Sequence, residues 1–296
     1  MIFELTEVNK APQHYSATND RKLNYSFTWK QVFINISFYI GIVSFIVSFT
    51  YLFILAINAY IDSNTPIKDT PYLAKLIYSN GVESGSGCTA FLIKNSILLS
   101  AAHCLMLNNN ATITAVHIGG TKERNYEDML KIPGTQLHFK SDYDLEDSDF
   151  AVINLEYPII PTDAVRPLSI APRGSSIPKK LIFNEWSDDS IDNMDSVQVT
   201  VSVIDLLDCL ISYRNININL NIYGSNYKYK RPIFFCTDGG YIRAGNSGTP
   251  IIATDSDGYA YGLLSKGPTE SYSVPNIFVD LRTFIDEIDE DEGIAS

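Results

Sequence analysis

One stretch of the sequence decides the fold: Leu98-Leu99-Ser100-Ala101-Ala102-His103-Cys104. It begins as an apolar run, which is typical of a buried strand, and it ends on small residues followed by a histidine and a cysteine. A histidine at such a place is a candidate general base, because its imidazole exchanges protons near neutral pH. The chain has only three other histidines, His14, His117 and His138.

A candidate nucleophile lies in the tetrapeptide Gly245-Asn246-Ser247-Gly248. A tight turn here exposes the serine hydroxyl and aims the backbone N–H groups of Gly245 and Ser247 at one point, as an oxyanion requires. Glycine at position 245 permits the positive φ that such a turn needs. The same tetrapeptide also occurs in ordinary loops, so its meaning depends on His103.

Serine hydrolysis also needs an acid that holds the base in the correct tautomer. The acidic residues of the segment 141–149 are Asp142, Asp144, Glu146, Asp147 and Asp149. Only Asp149 opens an apolar run, Phe150-Ala151-Val152-Ile153-Asn154-Leu155. We therefore choose Asp149 as the acid, with Asp147 as the second candidate.

These motifs resemble those of the chymotrypsin/trypsin family of serine peptidases, over roughly residues 71–288. In that family a strand ends in Ser/Thr-Ala-Ala-His-Cys, and the aspartate opens an Asp-Ile-Ala-Leu-Leu-x-Leu run. The order of His103, Asp149 and Ser247 also fits this family and differs from the orders in subtilisin and the α/β-hydrolases. His138 resembles a non-catalytic histidine that often precedes the family's aspartate.

The resemblance implies an all-β fold of two six-stranded antiparallel β-barrels with a C-terminal helix. The many short apolar runs between residues 71 and 285, broken by turn residues, also indicate a barrel or a sandwich. Only Leu281 to Glu290 has a helical pattern.

The resemblance also implies further pairings and contacts. It pairs Cys88 with Cys104 beside the histidine and Cys209 with Cys236 behind the specificity pocket, the alternative being four free buried thiols. It places three residues along the substrate cleft, where they would pair with substrate backbone: Ser265, Lys266 and Gly267.

Two departures from the family limit what the resemblance implies. Asn246 replaces the aspartate that pairs with a freed N-terminus in zymogens, and no Ile-Val-Gly-Gly precedes Tyr72. The bacterial glutamyl-endopeptidase and high-temperature-requirement branches share Gly-Asn-Ser-Gly, so our hypothesis is that no activating cut is needed.

Tyr241 stands where a trypsin-like enzyme has an aspartate, which argues against a preference for Arg or Lys in the substrate. Lys266 and Arg243 suggest instead a preference for acidic side chains.

A second decisive stretch lies near the N-terminus. No charged residue occurs from Gln31 to Ile61, which is long enough for a helix to cross a bilayer. Polar residues precede it and the context at Ala59 is poor for cleavage, so we expect an uncleaved transmembrane anchor at 31–61. The basic residues Arg21, Lys22 and Lys30 favour a cytoplasmic N-terminal segment, 1–30, with the remainder outside. All four cysteines follow the span, which agrees with an oxidising compartment.

The sequence thus predicts a linker at 62–70, a peptidase domain at 71–290 and an acidic tail at 291–296. A net charge of −12 excludes a protein that binds nucleic acid through its phosphates. No metal or cofactor is implied, and the expected partners are a polypeptide substrate and the membrane. The predicted function is a membrane-anchored serine endopeptidase, and the alternatives are a catalytically silent peptide-binding module or an esterase.

Overall fold

The structure, a computed structural model, describes most of the chain after residue 70 and one segment before it. The described residues are 38–53, 70–81, 84–106, 111–119, 129–139, 148–186, 196–224, 228–238, 242–243, 245–253, 258–268 and 274–290. The chain divides into two compact units, Met1–Ser63 and Asn64–Ser296. The finer boundaries of the linker, the domain and the tail stay predictions.

The N-terminal unit contains one described helix, α1, at residues 38–53. Its large apolar side chains are exposed, including Phe38 at 67% and Phe45 at 70%. Among the described residues, no helix is both long and apolar enough to cross a membrane. The predicted transmembrane helix is therefore not supported, and its flanks, 31–37 and 54–61, lie outside the described residues.

The first sheet of the second unit is antiparallel and has seven strands in the order β5-β4-β1-β2-β3-β7-β6. Its central strands are almost fully buried, and most of their side chains are apolar. The strands are β1 (Leu73–Ser79), β2 (Ser84–Lys94), β3 (Ile97–Ser100), β4 (Thr112–Ile118), β5 (Leu130–Pro133), β6 (Leu137–Phe139) and β7 (Ala151–Leu155).

The second sheet also has seven strands, six of them in the antiparallel order β10-β9-β12-β13-β14-β11, with β8 parallel to β13. Two helices accompany it, α2 (Leu206–Arg214) and α3 (Ile285–Glu290). The strands are β8 (Ser169–Ile170), β9 (Lys180–Trp186), β10 (Ser196–Ser202), β11 (Phe234–Thr237), β12 (Pro250–Ala253), β13 (Tyr259–Lys266) and β14 (Asn276–Asp280). The C-terminal helix is confirmed, and the two sheets agree with the expected all-β, two-barrel fold.

The strand count and the helix count differ from the prediction in particular places. Among the described residues each sheet has seven strands, and not the six per barrel that the family resemblance implied. In the first sheet, a 3₁₀ turn at Gly134–Gln136 divides one stretch into β5 and β6, and each is too short to show alternation. Helix α2 was missed as well; Asp205 caps its N-terminus by accepting a 2.8 Å hydrogen bond from the Leu207 backbone N–H.

Two disulfide bonds confirm the predicted cysteine pairing. Cys88 on β2 is bonded to Cys104, and Cys209 on α2 is bonded to Cys236 on β11. The four sulfurs lie in the hydrophobic interior. The first bond fixes the segment that follows β3 against β2, which is the place where the candidate histidine lies.

Candidate active site

His103 lies in a 3₁₀ turn, Ala102–Cys104, directly after strand β3. The residues on its N-terminal side, Ala101 and Ala102, are completely buried, so only small side chains fit there. The side chain of His103 itself is 40% exposed. A buried strand is thus followed by a turn whose histidine ring reaches the solvent.

Asp149 precedes strand β7 and accepts three hydrogen bonds. His103 donates from Nδ1 to Oδ2 at 2.8 Å and from its backbone N–H to Oδ1 at 2.9 Å, and the Ser265 hydroxyl donates to Oδ2 at 2.6 Å. The carboxylate is only 10% exposed. With Nδ1–H directed at Asp149, the ring presents Nε2 as the proton acceptor. Asp147, the second candidate, lies outside the described residues.

Ser247 lies in the loop between β11 and β12, in a turn with positive φ at Gly245 and Gly248, both 89°. We call residues 245–248 the serine turn. Its backbone is tied to both sheets, because Ser247 O accepts from the Thr89 N–H at 2.8 Å and the Gly248 N–H donates to Leu264 O at 2.7 Å. A Cβ atom on Gly248 would overlap the carbonyl oxygen of Thr89. Only glycine therefore allows this close packing.

The packing brings the serine turn beside the turn that carries His103. Ser247 O lies 3.8 Å from Sγ of Cys104, the residue that follows the histidine. Among the described residues, no hydrogen bond joins the Ser247 hydroxyl to the His103 ring. In hydrolases without substrate this bond is often long and closes when substrate binds.

Asn246 is completely buried, and its side chain both accepts and donates hydrogen bonds. Its Oδ1 accepts from the Trp186 backbone N–H at 2.7 Å, and its Nδ2 donates to Arg243 O at 3.3 Å. An amide both donates and accepts, whereas a carboxylate only accepts. The surroundings of residue 246 therefore match asparagine in both directions.

Sequence reasoning missed two residues that contact the serine turn. The Thr89 hydroxyl donates to Gly245 O at 2.9 Å, and the indole Nε1–H of Trp186 donates to Thr89 Oγ1 at 2.9 Å. No local pattern in the sequence indicates that either residue has a partner on another sheet.

The predicted substrate-binding residues lie at the end of β13 and just beyond it. Ser265 and Lys266 line a cleft of about 400 Å³ together with Asp149. Apolar residues form much of the remaining wall: Ile218, Leu220, Ile233, Phe234, Ile277 and Val279. Gly267 follows Lys266, and Tyr241 lies outside the described residues. Pairing of Ser265–Gly267 with substrate backbone stays a prediction.

One group of potential metal ligands lies at the site. The donor atoms of Cys88, His103 and Cys104 are within 4.8 Å of one another. Because the two sulfurs form a disulfide bond, they offer no thiolate to a metal ion.

Two mainly antiparallel sheets, with His103 after a strand of the first and Ser265 on a strand of the second, define the class of chymotrypsin-like folds. The sequence matches the model of the trypsin family, "Trypsin", across residues 62–288. The chain belongs to the trypsin family.

Solved structures show the same fold at low sequence identity. A scabies mite inactivated protease paralogue, S-I1, is 16% identical with a TM-score of 0.57, covering 77% of this chain and 97% of its own. Human heparin binding protein is 19% identical with a TM-score of 0.54, covering 75% and 91%. A protein named GrC is 21% identical with a TM-score of 0.55, covering 76% and 95%.

Proposed function

We propose that this chain is a serine endopeptidase with His103, Asp149 and Ser247 as its catalytic triad. The observation that carries the proposal is the 2.8 Å hydrogen bond between His103 Nδ1 and the largely buried carboxylate of Asp149, on the turn packed against Ser247. A half-exposed imidazole held by a carboxylate beside a serine is the arrangement that activates a hydroxyl.

The proposed reaction uses each of these groups in turn. His103 Nε2 removes the proton from Ser247 Oγ as that oxygen attacks the scissile carbonyl carbon. Asp149 keeps Nδ1 protonated and stabilises the imidazolium that forms. The N–H groups of Gly245 and Ser247 donate to the oxyanion, and His103 then protonates the leaving amine. Water then attacks the carbonyl carbon of the acyl group on Ser247 and gives a proton to His103 Nε2. The bond from that carbon to Ser247 Oγ breaks as His103 returns a proton to Oγ, which releases the acid product.

We test the nucleophile with a fluorescent fluorophosphonate, which reacts with activated serines. The detergent-solubilised full chain should be labelled, and Ser247→Ala should not. Ser212→Ala is the matched control, because Ser212 Oγ bonds within α2 to Asp208 O, so its labelling should equal that of the wild type. Labelling of Ser247→Ala at the wild-type rate would contradict the proposal. Cleavage of casein, compared with a p-nitrophenyl ester, separates the peptidase from the esterase.

A catalytically silent peptide-binding module is the second candidate function. It is favoured by the structural likeness to the inactivated protease paralogue of the scabies mite, although that likeness concerns the fold alone. The complete set of His103, Asp149 and Ser247 favours catalysis instead. A wild-type chain that binds peptides and yet resists fluorophosphonate at every concentration would establish the silent module.

We further propose that activity needs no cut at the N-terminus of the domain. Support comes from Asn246, which is buried and hydrogen bonded as a neutral amide, so the serine turn holds no carboxylate at this position for a new ammonium to pair with. The uncut full chain should therefore have the same kcat as chain cleaved at residues 62–70. A large gain in kcat on cleavage would contradict this.

The proposed substrate preference is for acidic side chains. The support is Lys266, an exposed cation at the cleft beside Asp149 and Ser265. A peptide library should be cleaved preferentially at acidic positions, and Lys266→Gln should weaken that preference. Cleavage dominated by Arg or Lys would contradict it.

Attachment to a membrane through residues 31–61, with the peptidase domain on the outer side, is the last part of the proposal. The uncharged segment and the exposed apolar side chains of α1 support it, since a large exposed apolar surface is normally covered by lipid or protein. The full chain should stay in the membrane pellet after carbonate extraction, and a chain with Phe45→Asp and Phe49→Asp should be released. Recovery of the unaltered chain in the supernatant would contradict the attachment.

A further inference from the structure

The serine turn is joined to two strands by a chain of neutral hydrogen bonds. The indole N–H of Trp186 donates to Thr89 Oγ1, and the Thr89 hydroxyl donates its single proton to Gly245 O, each at 2.9 Å. A second bond runs from the Trp186 backbone N–H to Asn246 Oδ1 at 2.7 Å. Thr89 is on β2 and Trp186 ends β9, so both sheets contribute.

These bonds restrain the part of the turn that lies between the two oxyanion donors. The N–H groups of Gly245 and Ser247 flank the peptide plane that joins residues 245 and 246. Thr89 holds the carbonyl oxygen of that plane, and Trp186 holds the side chain that follows it. Gly245, at φ 89°, has wide conformational freedom of its own, so an external restraint is needed to keep it in one conformation.

The direction of the hydrogen bonds is determined by the groups themselves. An indole N–H only donates, so the Thr89 oxygen must accept from it, and the one hydroxyl proton then remains for Gly245 O. Trp186 and Thr89 are 1% and 0% exposed, so water does not compete for these groups. Lys75 Nζ lies 5.3 Å from the centroid of the Trp186 ring and adds a contact on its face.

We propose that Trp186 and Thr89 are positioning residues that hold the oxyanion donors of the serine turn ready for reaction, in place of a charged pair with a freed N-terminus. The inference rests on the proposed serine peptidase function. It goes beyond that function because it states that two neutral side chains outside the turn, on β2 and β9, hold the turn in its active conformation.

The experiment compares four variants of the full chain in detergent. Thr89→Val removes the hydroxyl at nearly constant volume, and Thr89→Ser restores it. Trp186→Phe removes the indole N–H and keeps an aromatic ring. Thr200→Val is the matched control, because it makes the same chemical change at an exposed position of β10. Each variant is measured for kcat and KM on a peptide substrate and for amide hydrogen exchange of residues 245–248.

We expect Thr89→Val to lower kcat by about 10- to 100-fold with little change in KM. This loss is smaller than the loss caused by deleting an oxyanion donor. Trp186→Phe should lower kcat by a smaller factor, and both variants should exchange the amides of the serine turn faster. Thr89→Ser and Thr200→Val should match the wild type in both measurements.

Wild-type kcat and wild-type exchange in Thr89→Val would overturn the proposal, as would an equal loss in Thr89→Ser. If Thr89→Val does not fold, Trp186→Phe decides by the same two measurements. A wild-type chain that does not react with fluorophosphonate would refute the peptidase function separately. Faster exchange in Thr89→Val would still support the restraint of the turn in that case.

Discussion

The two halves of the candidate site are held in place by different kinds of interaction. In the histidine half, one largely buried carboxylate, Asp149, accepts three hydrogen bonds from His103 and Ser265. In the serine turn, the holding groups are neutral: the hydroxyl of Thr89 and the N–H groups of Trp186. Charge-assisted hydrogen bonds are about twice as strong as neutral ones. A single change should therefore do more damage in the histidine half.

Asp149→Asn should give the largest effect on kcat, because it removes the carboxylate that accepts all three hydrogen bonds of the histidine half. The amide cannot accept from His103 in the same way as the carboxylate, so the ring loses the correct tautomer, and kcat should fall by about 10⁴-fold. Asp163→Asn, at an exposed loop position, is the matched control and should leave kcat unchanged. A value for Asp149→Asn within tenfold of the wild type would show that Asp149 does not orient the base.

Removal of the Cys88–Cys104 disulfide should affect both halves together. Cys88 precedes Thr89 and Cys104 follows His103, and the bond closes a separation of 16 residues. Replacing both by alanine should lower the free energy of unfolding by about 3 kcal/mol in urea, and it should also lower kcat. The matched control is the double variant Cys209→Ala and Cys236→Ala. It removes the other disulfide, which closes a separation of 27 residues. The control variant should lose a similar free energy of unfolding and keep its kcat. An equal loss of kcat in the control variant would show that the Cys88–Cys104 bond has no particular role in holding the two halves together.

Ser265→Ala tests the contribution of one hydrogen bond within the histidine half. It removes one of the three hydrogen bonds to Asp149 and leaves the two from His103. A hydrogen bond to a charged group contributes about 1.5 kcal/mol or more, which corresponds to a loss in kcat of about tenfold. Ser265→Thr keeps a hydroxyl and should recover most of the rate. If both variants lose the same activity, the effect comes from packing on β13 and not from the bond.

A substitution of His117 should have the smallest effect, because it should change the pH dependence of stability and leave kcat unchanged. It lies buried on β4, opposite Lys75 and Lys131 on the neighbouring strands. Burial, and then the charges of Lys131 and Lys75, lower the pKa of His117 in the folded chain below its ordinary value of 6.5. The unfolded chain therefore binds the proton more readily, and the free energy of unfolding should decrease as the pH falls through 6.5.

His117→Gln tests this prediction with denaturant titrations at several pH values. The variant should show a weaker decrease in stability toward acid pH, while kcat at pH 8 stays at the wild-type value. An unchanged pH dependence would assign the acid sensitivity to other groups.

The sequence was most informative where one short segment contains the whole signal. The strand that precedes His103 and the aspartate that precedes β7 were predicted from local motifs, as was the positive φ of Gly245. The contact between Trp186 and Thr89 joins residues that are 97 positions apart on different sheets, and no local pattern encodes such a pair.

The remaining errors also have local causes. Strands β5 and β6 are too short for a period of two to emerge, and an intervening 3₁₀ turn interrupts their pattern. Helix α2 has only two buried residues, Cys209 and Tyr213, so it lacks a clear apolar stripe. The Cys209–Cys236 disulfide joins α2 to β11, a contact that its own periodicity does not show.

The proposed catalytic role of Ser247 is tested most directly by the reaction of the intact, uncut chain with a fluorophosphonate, followed by mass mapping of the adduct. We expect one phosphonyl group per chain, on Ser247, formed without any cleavage between Met1 and Pro71. We also expect formation of the adduct to slow sharply in Asp149→Asn. An unreactive Ser247, or an adduct that forms only after cleavage in that region, would contradict a site held ready by hydrogen bonds alone.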